Sequence, residues 1–230
     1  MIGDRVKILN DTVTRKLGQR DVLVSKQEEL SEKKLSLQNE LELYSKARKL
    51  LELFVRSTEY RVREYIEPIV TEALDFVFDQ GLKFHLLFVT RRNQVEVDFL
   101  ILRDEESEAN YQKYILDPKK YEKQLEQLAK ETRNINYMYG GAVNQVLALV
   151  LRLVLVELLQ IRGPVFLDEP SSAVGEEYSA RLGQLVSSLS ERFKRQIVLI
   201  THSKTLASFA EKIYSVNKVH DVSMIEEIEA

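Results

Sequence analysis

The sequence predicts an α/β fold: a parallel sheet preceded by a β-hairpin and an N-terminal coiled-coil helix. Three observations predict it. From Gly140 onward, short apolar runs alternate with helical periodicity, as a buried parallel sheet requires. Residues 82–102 hold two apolar runs around a polar "RRNQ". Residues 4 to about 64 lack proline and carry a seven-residue apolar repeat.

The arm comes first. Leu23, Leu30, Leu37, Tyr44 and Leu51 form one continuous stripe. The companion positions, Gln27, Lys34, Leu41, Arg48 and Val55, are mixed. One good seam and one broken seam fit a long solvated helix, or an arm lying antiparallel on a partner helix. The chain offers no second strand for that coil. Beyond Tyr65, "YIEPIVTEALDFVF" places Ile66, Ile69, Val70, Leu74, Val77 and Phe78 at helical spacing. Pro68 is expected to kink the path or start a new helix, and Gly81 to end it.

In the hairpin, Val95, Val97, Phe99 and Ile101 alternate with Glu96 and Asp98. Arg91 and Arg92 at its tip read as solvated rather than as phosphate ligands. Residues 103–136 are polar, with one helix expected from Asp117 as cap and Pro118 at its first position, carrying Tyr121, Leu125 and Leu128. "YGGAVNQVLALVLRLVLVELL" then opens on two glycines and is apolar on nearly every face, which predicts burial. "PVFLDEP" and "QIVLITHS" read as buried strands. Between them a helix carries Tyr178, Leu182, Leu185, Val186, Leu189 and Phe193 on one side, and "KTLASFAEKIYSV" adds a helix and a strand. The division expected is an arm over 1–64, hairpin and connecting helices over 65–136, and a C-terminal lobe over 137–230.

Composition narrows the chemistry. The 230 residues include no cysteine and 3 histidines, which removes thiol catalysis and disfavours a His-rich metal site. Net charge of −3 does not imply strong non-specific nucleic-acid binding by the whole chain. The N-terminus lacks an apolar core of signal-peptide length, and Arg152 and Glu157 interrupt the most apolar run, so no membrane partner and a cytoplasmic location are expected.

Four features stand in order: Gly140–Gly141 opening a helix, Asp168 and Glu169 ending a strand, the turn 171–175, and His202 ending the next strand. Parallel sheets bind ligands at the carboxyl ends of their strands. A bare helix start offers N–H groups to phosphate. An aspartate can hold Mg²⁺, a glutamate can orient water, and a histidine can meet the γ-phosphate. Each alone has a plainer reading: a capping turn, a core histidine, a tight turn. Their order and spacing favour a nucleotide site.

From 137 to about 225 these motifs resemble the C-terminal lobe of an ABC-type ATPase head of the SMC/RecN/RecF branch, which includes nuclease-partnered repair ATPases. "VFLDEP" resembles Walker B, "SSAVG" lies at the D-loop, "VLITHS" resembles the H-loop strand and "YMYGG" lies at the LSGGQ-type motif. The resemblance implies Asp168 on the metal, Glu169 and His202 as catalytic groups, and Tyr139, Gly140, Gly141, Ser172 and Gly175 against nucleotide. It implies ATP and Mg²⁺ as cofactors, DNA and a nuclease as partners, and homodimerisation or a second ATPase subunit. It allows a nucleoid or viral-host setting.

The chain departs from that pattern at Tyr139, where the family has serine, at Ala142, where Gln or Glu is frequent, and at Gly175, where aspartate is usual. No GxxxxGK[ST] occurs; "LGQRDVLVSK" lacks the second glycine and lies in the arm. Three readings remain. The chain is an ATPase half completed by a P-loop lobe from elsewhere and inactive alone, or a non-hydrolysing scaffold that dimerises or binds DNA or a nuclease, or a piece of a longer ATPase.

Overall fold

The computed structural model describes residues 2–92, 94–118, 120–132, 135–220 and 222–228. Residue 93 of the hairpin turn, Lys119 of the expected helix start, and the side chains of Tyr137 and Met138 lie outside the described set. Two units divide the chain, Met1–Thr58 and Glu59–Ala230.

The first unit is a single helix, part of α1 (Ile2–Phe78). Its heptad stripe is uncovered: Leu23, Leu30, Leu37, Tyr44 and Leu51 are all exposed. Lys46–Glu42 at 2.7 Å and Arg48–Glu52 at 3.2 Å are helix-spaced ion pairs. Each contributes only about 0.3–0.5 kcal/mol.

In the second unit, α1 buries the face read from the sequence: Ile66, Ile69, Val70, Leu74, Val77 and Phe78, together with Ala73. No new helix starts at Pro68; α1 runs through it to Phe78. Pro68 forfeits one ladder hydrogen bond, but the buried face on both sides of it holds the helix in register. Asp79 (φ 54) and Gly81 (φ 64) then turn the chain in left-handed backbone.

Strands β1 (Lys83–Arg91) and β2 (Gln94–Leu102) pair antiparallel, with Phe88 opposite Val97 and Phe84 opposite Ile101. Only the inner half of β2 is covered: Leu100, Ile101 and Leu102 are buried, while Val95, Val97 and Phe99 are exposed. Arg91 is not a free cation at the tip. It pairs with Glu96 at 2.8 Å and with Asp98, and hydrogen bonds to Asp98 and then Glu96 raise its pKa further.

The stretch read as simply polar holds a helix, α2 (Glu105–Leu116), capped by Asp104, whose carboxylate accepts from Ser107 N–H at 2.7 Å. That bond holds the Asp104 carboxyl below its usual pKa. The next helix, α3 (Glu122–Thr132), starts later than expected. Asp117 instead ends α2 and closes a turn, its carbonyl accepting from Lys120 N–H at 3.1 Å. Leu125 and Ala129 of α3 join Leu87, Leu100, Leu102 and Tyr111 in a small second core.

His85 joins three elements. Its Nδ1 lies 3.0 Å from Glu67 of α1 and its Nε2 lies 2.6 Å from Glu108 of α2. Glu67 also accepts from Leu86 N–H at 2.8 Å, and the Tyr111 hydroxyl donates to the Leu86 carbonyl at 3.1 Å. Burial first, then the Glu67 charge, push the Tyr111 phenol above its ordinary pKa.

Helix α4 (Ile135–Leu158) is interrupted at Gly140, so its regular part starts at the glycine pair. Although Arg152 and Glu157 interrupt it, Tyr139–Leu158 is long and apolar enough to cross a membrane. It serves as the central core helix: Val143, Val146, Leu147, Leu149, Val150, Leu151, Leu153 and Val154 are buried, and the stripe Ala148, Arg152 and Leu155 is exposed. Strands β3 (Val165–Asp168) and β4 (Ile197–Ile200) pair parallel, Val165 with Ile197 and Asp168 with Ile200. Helix α5 (Glu176–Phe193) connects them and buries Leu182, Leu185, Val186 and Leu189. The strands are not buried throughout, as their composition suggested. Val165 and Leu167 face the core, but Phe166 is 68% and Ile200 60% exposed, because helices cover one face only. After a short helix α6 (Lys204–Ala207), the chain forms an antiparallel hairpin, β5 (Ile213–Val219) and β6 (Val222–Ile228), where one strand was expected.

Candidate functional site

Gly140 opens the site. Its φ of 81° and ψ of 173° lie where side chains rarely go, so glycine is required there. Gly141 answers a different need. A Cβ on it would sit 3.3 Å from the Ala173 Cβ, a tight contact, so glycine lets the helix start lie close to the 171–174 turn. Tyr139, read as a nucleotide contact, directs its hydroxyl inward to the Ile101 carbonyl at 3.1 Å. Burial raises its phenol pKa.

The two acids end β3. Asp168 is exposed at the carboxyl end of the strand. Glu169 has φ 44°, an unfavourable conformation for a residue with a Cβ. Its N–H donates to the Ile200 carbonyl at 2.9 Å, which extends the ladder by one bond and sets the turn beside β4. Its Oε1 is shielded from solvent and lacks a hydrogen-bond partner among the described residues. His202, 98% exposed, places Nε2 at 3.6 Å from that oxygen, just beyond hydrogen-bond range.

The turn that follows leads to α5. Ser172 N–H donates to the Glu169 carbonyl at 3.3 Å, and Val174 N–H to the Ser171 carbonyl at 2.9 Å. Gly175 caps α5 without a side chain, and the space its Cβ would fill is taken by the Glu177 carboxylate. Thr205 of α6 donates to Glu176 at 2.6 Å, tying the start of α5 to the segment after His202.

The structure therefore brings Glu169 beside His202, and Gly141 against the turn that contains Ser172. It turns Tyr139 toward the hairpin. Sequence reasoning missed Gln145, whose amide grips Ser172 Oγ at 2.6 Å and the Ala173 N–H at 2.7 Å. The available signal was weak: two adjacent amides, Asn144 and Gln145, near the start of a largely apolar helix. Among the described residues, no group of three or more His, Asp or Glu side chains is arranged to hold a metal. Asp168 and Glu169 supply at most part of a hard-cation shell, which suits Mg²⁺ when water and phosphate complete it.

No family model matches the sequence, and no curated protein matches it. Solved structures do. One, from work on the ATP-driven dimerization and DNA-stimulated activation of SMC ATPases, is 15% identical, with a TM-score of 0.52 over 76% of this chain and 89% of that one. Another, an SMC head bound to the C-terminal winged-helix domain of ScpA, is 17% identical, with a TM-score of 0.51 over 74% of this chain and 44% of that one. The chain thus spans less than half of the second neighbour. The fold is that of an SMC-type head domain, an α/β structure with a hairpin and a long N-terminal helix.

Proposed function

We propose that this chain is the C-terminal half of an SMC/repair-type ATPase head, completed by a P-loop lobe from another chain or another region. One observation carries the reading. The β3–β4 sheet ends in Asp168 and Glu169 and leaves Phe166 and Ile200 exposed on its open face. Parallel sheets are stable when both faces are covered, and a two-stranded sheet alone is marginal. The hairpins β1–β2 and β5–β6 also leave apolar residues open, among them Val97, Phe99, Val216 and Ile225. A second lobe that supplies strands would cover these surfaces and bring the missing phosphate cradle to the acids.

In the completed site, Asp168 and phosphate oxygens would hold Mg²⁺, which offsets phosphate charge. Glu169, with its carboxylate beside His202, orients the attacking water. His202 meets the γ-phosphate. The start of α4 presents N–H groups to a second nucleotide, with Ser172 and Gly175 lining the approach. The arm pairs with a helix of the partner. Its own seam opposes parallel self-pairing, since Lys34 and Arg48 would each face their own copy. Action on DNA, with or without a nuclease, follows from the class of assembly proposed.

The inward Tyr139 hydroxyl favours a second reading, a scaffold that binds partners and does not hydrolyse ATP. Reconstitution separates the two. The purified chain is mixed with P-loop proteins encoded in neighbouring reading frames, and complex formation and ATP turnover are measured. The ATPase reading expects turnover in the mixture only, lost in Glu169→Gln with nucleotide binding retained. Stable complexes without turnover support the scaffold.

A further inference from the structure

We infer that Gln145 is a positioning residue: one side chain that ties the 171–174 turn, and through it Glu169, to the glycine start of α4. The catalytic consequence rests on the ATP-site reading above; the tie itself does not. The grip is two-sided. Gln145 Nε2 donates to Ser172 Oγ at 2.6 Å, while Ala173 N–H donates to Gln145 Oε1 at 2.7 Å. A primary amide can donate and accept at once, which suits two neighbouring groups of opposite need. Among the described residues, the side-chain hydrogen bonds that reach 171–174 from another element all come from Gln145. Gly141, which has no side chain to hold Ala173 away, lets the turn lie close to α4 beside them.

The tie continues to the acid. Ser172 N–H donates to the Glu169 carbonyl, and Glu169 sits at φ 44°. Such backbone persists where its surroundings over-determine it. Fixing Ser172 from α4 supplies that constraint on one side, and the Ile200 carbonyl supplies it on the other. The glycine turn and the strand-end glutamate therefore move as one body.

Hydrogen exchange on the full chain tests the tie, comparing Gln145→Leu with Gln145→Glu. Leucine keeps the bulk and removes both bonds. Glutamate keeps both, because its carboxylate accepts from the Ala173 N–H and the Ser172 hydroxyl alike. The expected result is exchange roughly tenfold faster over 169–174 in Gln145→Leu, with α5 and β4 unchanged and Gln145→Glu close to the parent. Unchanged exchange over 169–174, or an equal rise across α4, α5 and β4, overturns the tie. In the reconstituted complex, Gln145→Leu should lower kcat about tenfold at constant KM for ATP, with recovery in Gln145→Glu. A kcat loss that Gln145→Glu does not recover overturns the positioning role. If no P-loop partner confers turnover, the ATP-site reading fails, and the exchange result still decides the tie.

Discussion

The hairpin corner and the strand-end rim are built on opposite plans. At the corner, His85 is buried between Glu67 and Glu108, Tyr111 closes on Leu86, and Leu74, Phe84 and Leu100 are sealed from water. At the rim, Phe166 and Ile200 face solvent, and Glu169 keeps an oxygen without a partner among the described residues. Burial and satisfied polar groups are what stabilise a fold. The corner is sealed by its own packing, whereas the rim, where the proposed site lies, leaves apolar and polar groups uncovered.

The largest expected effect is on the sealed side. Leu74→Ala leaves a cavity in the main core and should cost about 3 kcal/mol in denaturant unfolding. A cost below about 1 kcal/mol would mean that this core is already loose. Phe166→Ser sharpens the contrast. Alone, the variant should unfold within about 0.5 kcal/mol of the parent, because its side chain is solvated already. In a complex with the proposed P-loop partner, affinity should fall at least about tenfold, as for loss of a buried aromatic anchor. Equal binding would remove the open sheet face from the interface.

Alkaline titration gives a smaller signal, confined to the corner. The Tyr111 phenol has a raised pKa in the folded state. The folded chain therefore holds that proton where the unfolded chain releases it, and stability should fall as pH rises above about 10. Tyr111→Phe should flatten that part of the pH–stability curve. The smallest effect is expected on the arm: Leu37→Ala should leave the unfolding of the second unit unchanged, since the first unit is a separate body. It should nonetheless weaken pairing with a partner helix.

Local patterns were legible where the periodicity was strong. The hairpin, β3, β4, α5 and the buried face of α1 all follow from runs or spacings within about a dozen residues. Helix α2 was missed because its apolar face, Tyr111 with the half-buried Tyr114 and Ile115, is confined to its C-terminal half, and its first turns are acidic and polar. Of the C-terminal hairpin only β5 was read, from Tyr214 and Val216 alternating with Ser215; β6 was missed because the adjacent pairs Met224–Ile225 and Glu226–Glu227 break the alternation. The site divides in the same way. Asp168, Glu169 and His202 announced themselves by type and by their place at strand ends. Gln145 did not, because its partners lie 27 and 28 positions further along the chain.

What the sequence by itself determined is the inventory: which residues carry charge at strand ends, where glycine interrupts a helix, which faces are apolar, and that no P-loop is present. These are properties of short stretches, set by rotamer, backbone and hydrophobic preferences that act over a turn or two. Tertiary structure alone decided that Glu169 lies in left-handed backbone 3.6 Å from His202, that Gln145 grips the next turn, and that one face of the β3–β4 sheet is left bare. Those facts depend on which distant surfaces close on one another, and chain closure across many residues leaves no mark on local periodicity.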